Sequence, residues 1–299
     1  GDEVANAKKC WQLLYKGLEG QYPVTRICSA LELPRSSWYH QNKRKAKVFT
    51  QKELRLHRRV KELFNVSRGS LGSRQLVKKL AIEGIKATRT KVRKIMKIHS
   101  LKVIQRVAYK VTTKRKHSDL VADNLVNIDF NPIQPNSIWA GDVTYLRTRE
   151  GWYYFAIVME LHSRKIIGWH IDKYMTAELV IKAMQMAINL RQPPKGLVFH
   201  SDRGSQYTGK RFRKLLKKNN IKASMSGKGA CWDNAVVERF FGSLKNEWLL
   251  KVTHLTRESM KIDVQKYIRY YNHERLHTTL GDLTPVAYEK RNLKVSNFS

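Results

Sequence analysis

Apolar residues recur every three or four positions through the first third of the chain, which predicts helices. Residues 24–31 form one such stretch, Pro34 ends it, and Ser36 or Ser37 can cap a second helix. Two short helices with a tight break are typical of a helix-turn-helix, but an ordinary helical hairpin with a basic tail explains the pattern equally well. We assign residues 1–47 to this first helix-turn-helix-like module.

A second group of helical stretches begins at Thr50. The segment Thr50-Gln51-Lys52-Glu53 has the capping-box pattern that starts a helix. A following helix carries Leu76 and Leu80 on its apolar face and ends near Gly84, and Thr88 can cap a third helix. We assign residues 48–110 to a second helix-turn-helix-like module.

The pattern changes from helices to strands after Pro135. Strands are predicted at 138–146, 152–159, 165–171, 197–200 and 221–225. Helices are predicted after Thr176, around 212–216 and from about 233 to 250. The resulting order, βββαβαβα, is that of a ribonuclease-H-like fold. We therefore predict an α/β ribonuclease-H-like core (136–252) with a mixed five-stranded sheet and flanking helices, all-α modules before it, a linker at 111–135, and a C-terminal helical extension at 253–299.

The charge of the chain indicates a polyanionic partner. Its 299 residues include 58 Lys and Arg against 24 Asp and Glu, a net charge of +34. Residues 1–135 hold 30 of these cations and 10 of the acids, so the helical modules are the more basic part. Nucleic acid is the simplest partner for such a protein. The alternatives are a ribosome-like structural role or binding to a membrane surface. Disorder of the whole chain is excluded because 42% of the residues are hydrophobic.

Other compositional features narrow the class of protein. No run of about 18 apolar residues occurs, which excludes a membrane-spanning protein, and no signal peptide is visible. The three cysteines are scattered and form no CxxC pair, so neither a disulfide framework nor a zinc site is expected. We expect an intracellular, reducing compartment.

Cations are concentrated on one predicted helix of the second module. Its apolar face is Val92, Ile95 and Met96, and five cations within nine residues occupy its other faces. Such a helix is a candidate for contacting DNA phosphates or entering a major groove, against the alternative of a solvated basic surface. The predicted DNA-binding residues here are Arg89, Lys91, Arg93, Lys94 and Lys97, and those at the end of the first module are Arg35, Lys43 and Arg44.

Three carboxylates stand at positions typical of an active site. Asp142 lies within an apolar strand, Asp202 follows the end of another, and Glu238 lies on the last helix of the core. Converging oxygen ligands suit Mg²⁺, which Mn²⁺ can replace, and two such ions can assist phosphodiester chemistry. Each acid also has an ordinary structural explanation: an arginine partner, a turn cap, or a surface position. On the face of Glu238, Gly242 would leave room for a polyanion and Lys245 could bind its phosphate.

Four segments carry a family resemblance. They are GDVTYL (141–146), HSDRGSQY (200–207), WDNAVVERFFGSLKNE (232–247) and YYNHERLHTTLGDLTP (270–285). Together they resemble the OrfB-type transposases of IS3-type bacterial insertion sequences, within the retroviral-integrase superfamily of DDE recombinases. The 35 residues between Asp202 and Glu238 match the family's D,D(35)E spacing, and Lys245 matches its position after the glutamate.

The resemblance implies a function. The chain is expected to cleave DNA at the ends of an insertion sequence and to transfer the freed 3′ ends to target DNA through a circular intermediate. Asp142, Asp202 and Glu238 would be the metal-binding catalytic acids. The implied cofactor is Mg²⁺, as a pair of ions. The implied partners are the terminal inverted repeats, target DNA and further copies of the chain in a dimer or larger synaptic complex, with no membrane.

The resemblance also bears on regions around the acids. Ser205, Gln206 and Tyr207 are expected to shape the site. Asp233 is expected to cap the helix that carries Glu238, and Asn234 to hold the loop before it. His200 either contacts the scissile phosphate or fills the end of its strand. Arg275 and His277 either contact DNA or pack the C-terminal helix onto the core, and we favour packing.

Two departures from the family pattern affect assembly. The scattered cysteines give no zinc module of the retroviral kind, which favours the bacterial branch and a place in the bacterial cytoplasm, at the nucleoid. Residues 1–60 contain no sustained heptad, so a leucine zipper is not expected there. The chain is therefore expected to be either the downstream product alone, with an upstream-frame product as a partner, or a family member that works without a zipper. The alternative functions are a non-catalytic DNA-binding regulator derived from a transposase and a ribonuclease-H-like nuclease.

Overall fold

The computed structural model describes residues 21–30, 32, 34–36, 49–103, 132–226 and 235–296, with side chains as far as 291. Backbone contacts divide the chain into two units between Leu56 and His57. In the first unit, α1 (Val24–Ala30) buries Ile27 and Cys28. Most of the second helix predicted in this module lies outside the described residues, as do Lys43 and Arg44.

The helix α2 (Gln51–Val66) begins with the predicted capping box. The Glu53 backbone N–H donates to Oγ1 of Thr50 (3.2 Å), and the Thr50 N–H donates to the Glu53 carboxylate (3.2 Å). Two orphan backbone donors at the helix start are thereby satisfied, which is the stabilising element of this motif. The predicted start of the helix is confirmed.

In the second unit, α3 (Ser73–Ile82) and α4 (Arg89–Ile98) complete the second helical module. The fully buried side chains of these two helices are Leu76, Leu80, Val92 and Ile95. Gly84 takes a positive φ of 74° after α3, as the predicted helix end requires. Oγ1 of Thr88 accepts the Lys91 N–H (3.3 Å), which confirms the predicted cap. The predicted linker at 111–135, apart from 132–135, lies outside the described residues.

The core contains one five-stranded mixed sheet. Its strands are β1 (Ile138–Thr148), β2 (Gly151–Glu160), β3 (Ile166–Asp172), β4 (Val198–Ser201) and β5 (Lys222–Met225). They stand in the order β3-β2-β1-β4-β5, with β1–β2 and β2–β3 antiparallel and β1–β4 and β4–β5 parallel. The hairpins at one side follow from short turns, and the parallel pairs from helical crossovers. The predicted ribonuclease-H-like arrangement is confirmed.

Helices cover both faces of the sheet. On one face lie α5 (Ala177–Arg191), α6 (Ser205–Thr208) and α7 (Lys210–Lys218), packed on Trp139, Val158 and Phe199. Gly168 permits this packing, since a Cβ there would stand 2.2 Å from the Ala183 carbonyl oxygen. Thr176 holds the N-cap position of α5, but its side chain makes no capping hydrogen bond, so only the position of that predicted cap is confirmed.

The opposite face carries the last helices. These are α8 (Ala235–Glu247) and α9 (Arg257–His273), with short 3₁₀ turns at Leu249–Lys251 and Thr278–Leu280, followed by α10 (Pro285–Ser296). Phe240 of α8 and Tyr267 of α9 belong to one hydrophobic core with Phe155 of the sheet. The C-terminal segment therefore shares its core with the predicted catalytic domain, and the boundary at 252 stays a prediction.

The second helical module contacts this C-terminal region through charged side chains. Arg68, just after α2, donates two hydrogen bonds to Asp263 of α9 (2.8 and 2.6 Å). Lys78 of α3 pairs with Asp282 (2.6 Å). Among the residues described, none of the helices combines the length and apolar character needed to cross a lipid bilayer.

Candidate active site

Two of the predicted acids meet where β4 ends beside β1. The β1–β4 ladder covers only Ile138 to Ala140 of β1, and β1 continues for eight residues beyond it. Asp142 lies two residues past the ladder, and Asp202 directly follows the last residue of β4. Because the two strands are parallel, both carboxylates stand at the same edge of the sheet, the usual location of sites in such folds.

Backbone N–H groups orient the two aspartates. Oδ1 of Asp142 accepts the Val143 N–H (2.7 Å), and Oδ1 of Asp202 accepts the Gly204 N–H (3.0 Å). These hydrogen bonds fix the direction in which each carboxylate points. Both residues are half-buried, so their oxygens are held in defined positions but remain accessible.

Tyr207 shows that the two aspartates share one electrostatic environment. Its ring is buried and packs on Phe199 and Phe212, with centroids 6.0 and 5.4 Å away. Burial raises the pKa of the Tyr207 phenol well above its usual range, and the negative charges of Asp142 and Asp202 raise it further. Tyr207 therefore stays neutral near the two aspartates, and its role in shaping the site stays a prediction.

Glu238 lies apart from this pair. It is exposed on α8, and desolvation of its carboxyl by surrounding protein atoms raises its pKa. Within the described ranges, no three His, Cys, Asp or Glu side chains stand close enough together to hold a metal ion. The structure thus brings Asp142 and Asp202 together, but not the predicted third acid. Bringing a third carboxylate to them without a cation would be opposed by like-charge repulsion.

Lys245 connects α8 with the aspartates. Burial lowers the pKa of its ammonium group, and the negative charge of Asp142 opposes that shift. Its Nζ also lies 4.8 Å from the ring centroid of Tyr145 on β1. Gly242, one turn before it, has open space where a Cβ would stand. Lys245 is therefore a cation near Asp142 with open space one helical turn away. Both features suit a side chain that binds a DNA phosphate.

The other predicted site residues differ in their exposure. His200 is fully buried, with Nδ1 2.9 Å from Oγ of Ser224 and Nε2 3.4 Å from Oγ of Ser226, which favours the strand-end alternative for this residue. Gln206 is buried and Ser205 is exposed. Asp233 and Asn234 lie outside the described residues.

Comparisons with known proteins identify the family of the chain. The family model described as Integrase core domain matches residues 132–231, and a second of that description matches 219–285; the model described as HTH-like domain matches 51–109. The transposase InsF for insertion sequence IS3A of Escherichia coli K12 is 36% identical over 278 residues, covering 92% of this chain and 96% of the relative. The chain belongs to the IS3 family of DDE transposases.

Two further matches complete the comparison. An uncharacterised 31 kDa protein of insertion element IS600 from Shigella sonnei is 35% identical over 266 residues, covering 89% of this transposase and 98% of the relative. The catalytic core domain of HTLV-2 integrase, solved in complex with magnesium, is 23% identical over 52% of the transposase and 97% of that chain, with a TM-score of 0.43. As a member of its family, the transposase is a DNA-cleaving and strand-transferring enzyme.

The HTH-like domain of the transposase presents its cations to solvent. Every one of the five predicted cationic side chains of α4 is exposed, opposite the buried Val92 and Ile95: Arg89, Lys91, Arg93, Lys94 and Lys97. Arg35 of the first unit is exposed as well. This cationic surface is of the kind that makes phosphate contacts.

The Arg275 and His277 motif packs rather than facing DNA. Arg275 donates two hydrogen bonds to the Glu247 carboxylate (2.8 and 2.7 Å). His277 is buried edge-on against Tyr271, and burial lowers its pKa to about 3, so it stays neutral. The packing alternative accounts for both side chains.

Two glycines contribute to the site and were missed from the sequence. A Cβ on Gly141 would stand 2.5 Å from the Phe199 ring, and one on Gly204 would stand 2.3 Å from the Gln206 amide and 2.9 Å from Oδ1 of Asp202. Each glycine thus allows close packing next to one of the two predicted catalytic aspartates. The available signal was their position, directly before Asp142 and two residues after Asp202.

Proposed function

We propose that Asp142, Asp202 and Glu238 are the catalytic acids with which this transposase cuts the ends of its element and joins them to target DNA. The observation that supports this most strongly is the meeting of Asp142 and Asp202 at the end of β4, with Lys245 of α8 beside Asp142. An isolated structural acid has no need of a second carboxylate and a half-buried cation nearby.

The donor set fits divalent metal ions. Each side chain offers carboxylate oxygens, which hard cations such as Mg²⁺ and Mn²⁺ prefer. A bound pair of such ions would activate the attacking oxygen and stabilise the leaving oxygen of a phosphodiester. Asp142 and Asp202 would hold these ions on the sheet, and Glu238 would complete the ligand set from α8.

The remaining side chains would bind and orient the DNA. Lys245 would bind the phosphate next to the reacting one, since its ammonium faces Asp142. The neutral phenol of Tyr207 adds no further negative charge to the acids. No protein nucleophile is required, because water and then the DNA 3′-hydroxyl attack. The cations of α4 would bind the element end, with a contribution from Arg35, Lys43 and Arg44.

We infer further that two ends are joined through a circular intermediate and that the active assembly is a dimer or larger. Two DNA ends must be held together for joining, which one active site on one chain does not provide. An upstream-frame product can take part in this assembly. Sedimentation of the transposase with end DNA tests the inference, and a stable, active monomeric complex would contradict it.

The test of the catalytic acids uses Asp142→Asn, Asp202→Asn and Glu238→Gln, each assayed for cleavage and strand transfer of element-end DNA with Mg²⁺ or Mn²⁺. We expect loss of both reactions with DNA binding retained, and a weaker Mn²⁺ affinity in calorimetric titration. Glu258→Gln is the matched control, because Glu258 is a well-exposed acid on α9.

Three outcomes separate the candidate functions. Unchanged cleavage by Glu238→Gln, or cleavage in EDTA, would refute the assignment of the acids. Binding without any strand breakage by the wild-type chain would indicate a non-catalytic regulator. Cleavage without strand transfer would indicate a nuclease.

A further inference from the structure

An exposed aromatic pair lies beside the proposed site. Tyr145 of β1 and Trp152 of β2 are 53% and 45% exposed, and their ring centroids are 5.3 Å apart with planes at 87°. A cation accompanies each ring: Lys245 Nζ is 4.8 Å from the Tyr145 centroid, and the Arg147 guanidinium is 5.3 Å from the Trp152 centroid. We call these four side chains the aromatic platform.

The platform begins where the packing of the sheet face ends. Arg147 pairs directly with Trp152 across the β1–β2 ladder, and Tyr145 pairs with Tyr154. Paired residues share a sheet face, so Tyr145, Arg147 and Trp152 stand together. Tyr154 still packs against the core on the α5 side, whereas Tyr145 opposite it is exposed. The platform is thus an uncovered extension of a packed face.

Lys245 links the platform to the proposed catalytic acids. Tyr145 follows Asp142 by three residues along β1, which is about 10 Å at the rise of a strand, and the alternation of side chains turns the two residues to opposite faces of the sheet. That length corresponds to roughly three base steps of duplex DNA. Lys245 belongs to both places, because it faces Asp142 and covers the Tyr145 ring.

The chemistry of the platform matches an unpaired nucleotide. Aromatic side chains flanked by cations bind single-stranded nucleic acid by stacking on bases while the cations bind phosphates. Two cations in four side chains disfavour an apolar protein partner, which would leave Lys245 and Arg147 desolvated without counter-charge. Cutting near a DNA end exposes such nucleotides beside the acids.

We propose that Tyr145 and Trp152 form a stacking platform for an unpaired nucleotide of the DNA strand whose phosphate lies at Asp142, with Lys245 and Arg147 binding its phosphates. This rests on the proposed function of the acids. It adds a substrate feature: the site binds a frayed or single-stranded end in preference to a fully paired one.

The test compares two probes on the full-length chain. One is a 20-base-pair blunt duplex, and the other is the same duplex with a three-nucleotide single-stranded extension. The ratio of the two Kd values removes the affinity that other basic surfaces supply to both probes. Stacking of a base contributes a factor of about 5 to 150 in affinity, so Tyr145→Ala and Trp152→Ala should each lower the ratio by at least about fivefold.

Two matched variants check the cause. Tyr145→Phe keeps the ring and should keep the ratio, and Tyr22→Ala removes a tyrosine that is also 53% exposed, in the other unit, and should not change it. In a Glu238→Gln background, 5-iododeoxyuridine in the single-stranded extension should crosslink to Tyr145 or Trp152 under ultraviolet light. Thermal melting of each variant confirms that it is folded.

The outcomes distinguish this proposal from the function of the acids. An unchanged ratio in Tyr145→Ala and Trp152→Ala overturns the platform, even where Glu238→Gln abolishes cleavage. A change of the monomer–dimer equilibrium with the ratio kept would assign the surface to a second copy of the chain and also overturn it. Normal cleavage by Glu238→Gln would instead overturn the function of the acids, whatever the platform variants show.

Discussion

The contact between Arg68 and Asp263 is the best place to test how the HTH-like domain is fixed to the catalytic region. Besides two hydrogen bonds from Arg68, the Asp263 carboxylate lies 2.9 Å from Nε2 of His254. Arg68 also covers the Trp248 ring at 4.3 Å. Burial favours the neutral form of Asp263, but the hydrogen bonds from Arg68 and His254 outweigh it and lower its pKa. Asp263→Asn removes this charge with little change of shape.

The expected magnitude follows from how far the pair is buried. Breaking a fully buried ion pair costs about 3–5 kcal/mol, and an exposed pair is worth about 0–1 kcal/mol. The side chains of Arg68 and Asp263 are 24% and 11% exposed, which places this pair between the two cases. Because the asparagine oxygen can still accept a hydrogen bond from Arg68, we expect a loss of about 2–3 kcal/mol. For a unit of this size that corresponds to a Tm about 5–10 °C lower.

The assay is thermal and denaturant unfolding at pH 7, completed as a double-mutant cycle with Arg68→Met. Asp282→Asn is the control, because Lys78 and Asp282 join the same two regions but are 39% and 35% exposed, and the loss should stay below about 1 kcal/mol. A Tm of Asp263→Asn equal to that of the control, or additive effects of the two single variants in the cycle, would refute the argument.

Three further changes have definite expected outcomes. Gly168→Ala would put a methyl group against the Ala183 carbonyl and should cost about 3 kcal/mol or more in unfolding experiments, and a wild-type Tm would contradict the close β3–α5 packing. Gly242→Ala should raise stability by up to about 1 kcal/mol, whereas Gly242→Leu should keep the fold but reduce DNA cleavage; full activity of the leucine variant would show that DNA does not use this space. Glu289 lies against Lys165 and Arg191, and although burial favours its neutral form, these cations lower its pKa below the usual 4.5. The Glu289 carboxylate therefore contributes fully to the free energy of unfolding above pH 4.5, and this contribution is lost as the pH falls through the folded-state pKa. The difference in stability between wild type and Glu289→Gln should accordingly close below pH 4.5, and a difference independent of pH would refute this.

The succession of strands and helices in the core could be predicted because each element has a strong local pattern. The strand β2 combines aromatic and β-branched residues between Gly151 and a polar turn, and α4 repeats apolar residues at helical spacing after Thr88. Tertiary contacts could not be predicted in this way. Arg68 and Asp263 are separated by 195 positions, and no local periodicity connects them.

The candidate site could be predicted in part. Asp142 within an apolar strand and Asp202 after another strand were predicted as converging carboxylates, and the structure places both just past the β1–β4 ladder. The convergence of Glu238 with them stays a prediction: among the described residues no three carboxylates stand close enough to hold a metal ion, and like-charge repulsion opposes such a group without a cation. Tyr145 and Trp152 were interpreted only as strand formers, since exposure cannot be inferred from β propensity.

A continuous set of packed elements connects the cationic helix α4 to α8, which carries the proposed catalytic Glu238. The cationic helix α4 shares buried side chains with α3, and the residues around Arg68 bind α9 and the end of α8 through Asp263, the Glu247 carbonyl and Lys251. In turn, α9 shares its aromatic core with α8, which carries Glu238 and Lys245. Since packed elements keep their geometry, a DNA end bound on α4, as we propose, would have a fixed position relative to the proposed catalytic acids. Loss of the Arg68–Asp263 pair would therefore lower stability and also loosen the position of α4 relative to the proposed catalytic acids.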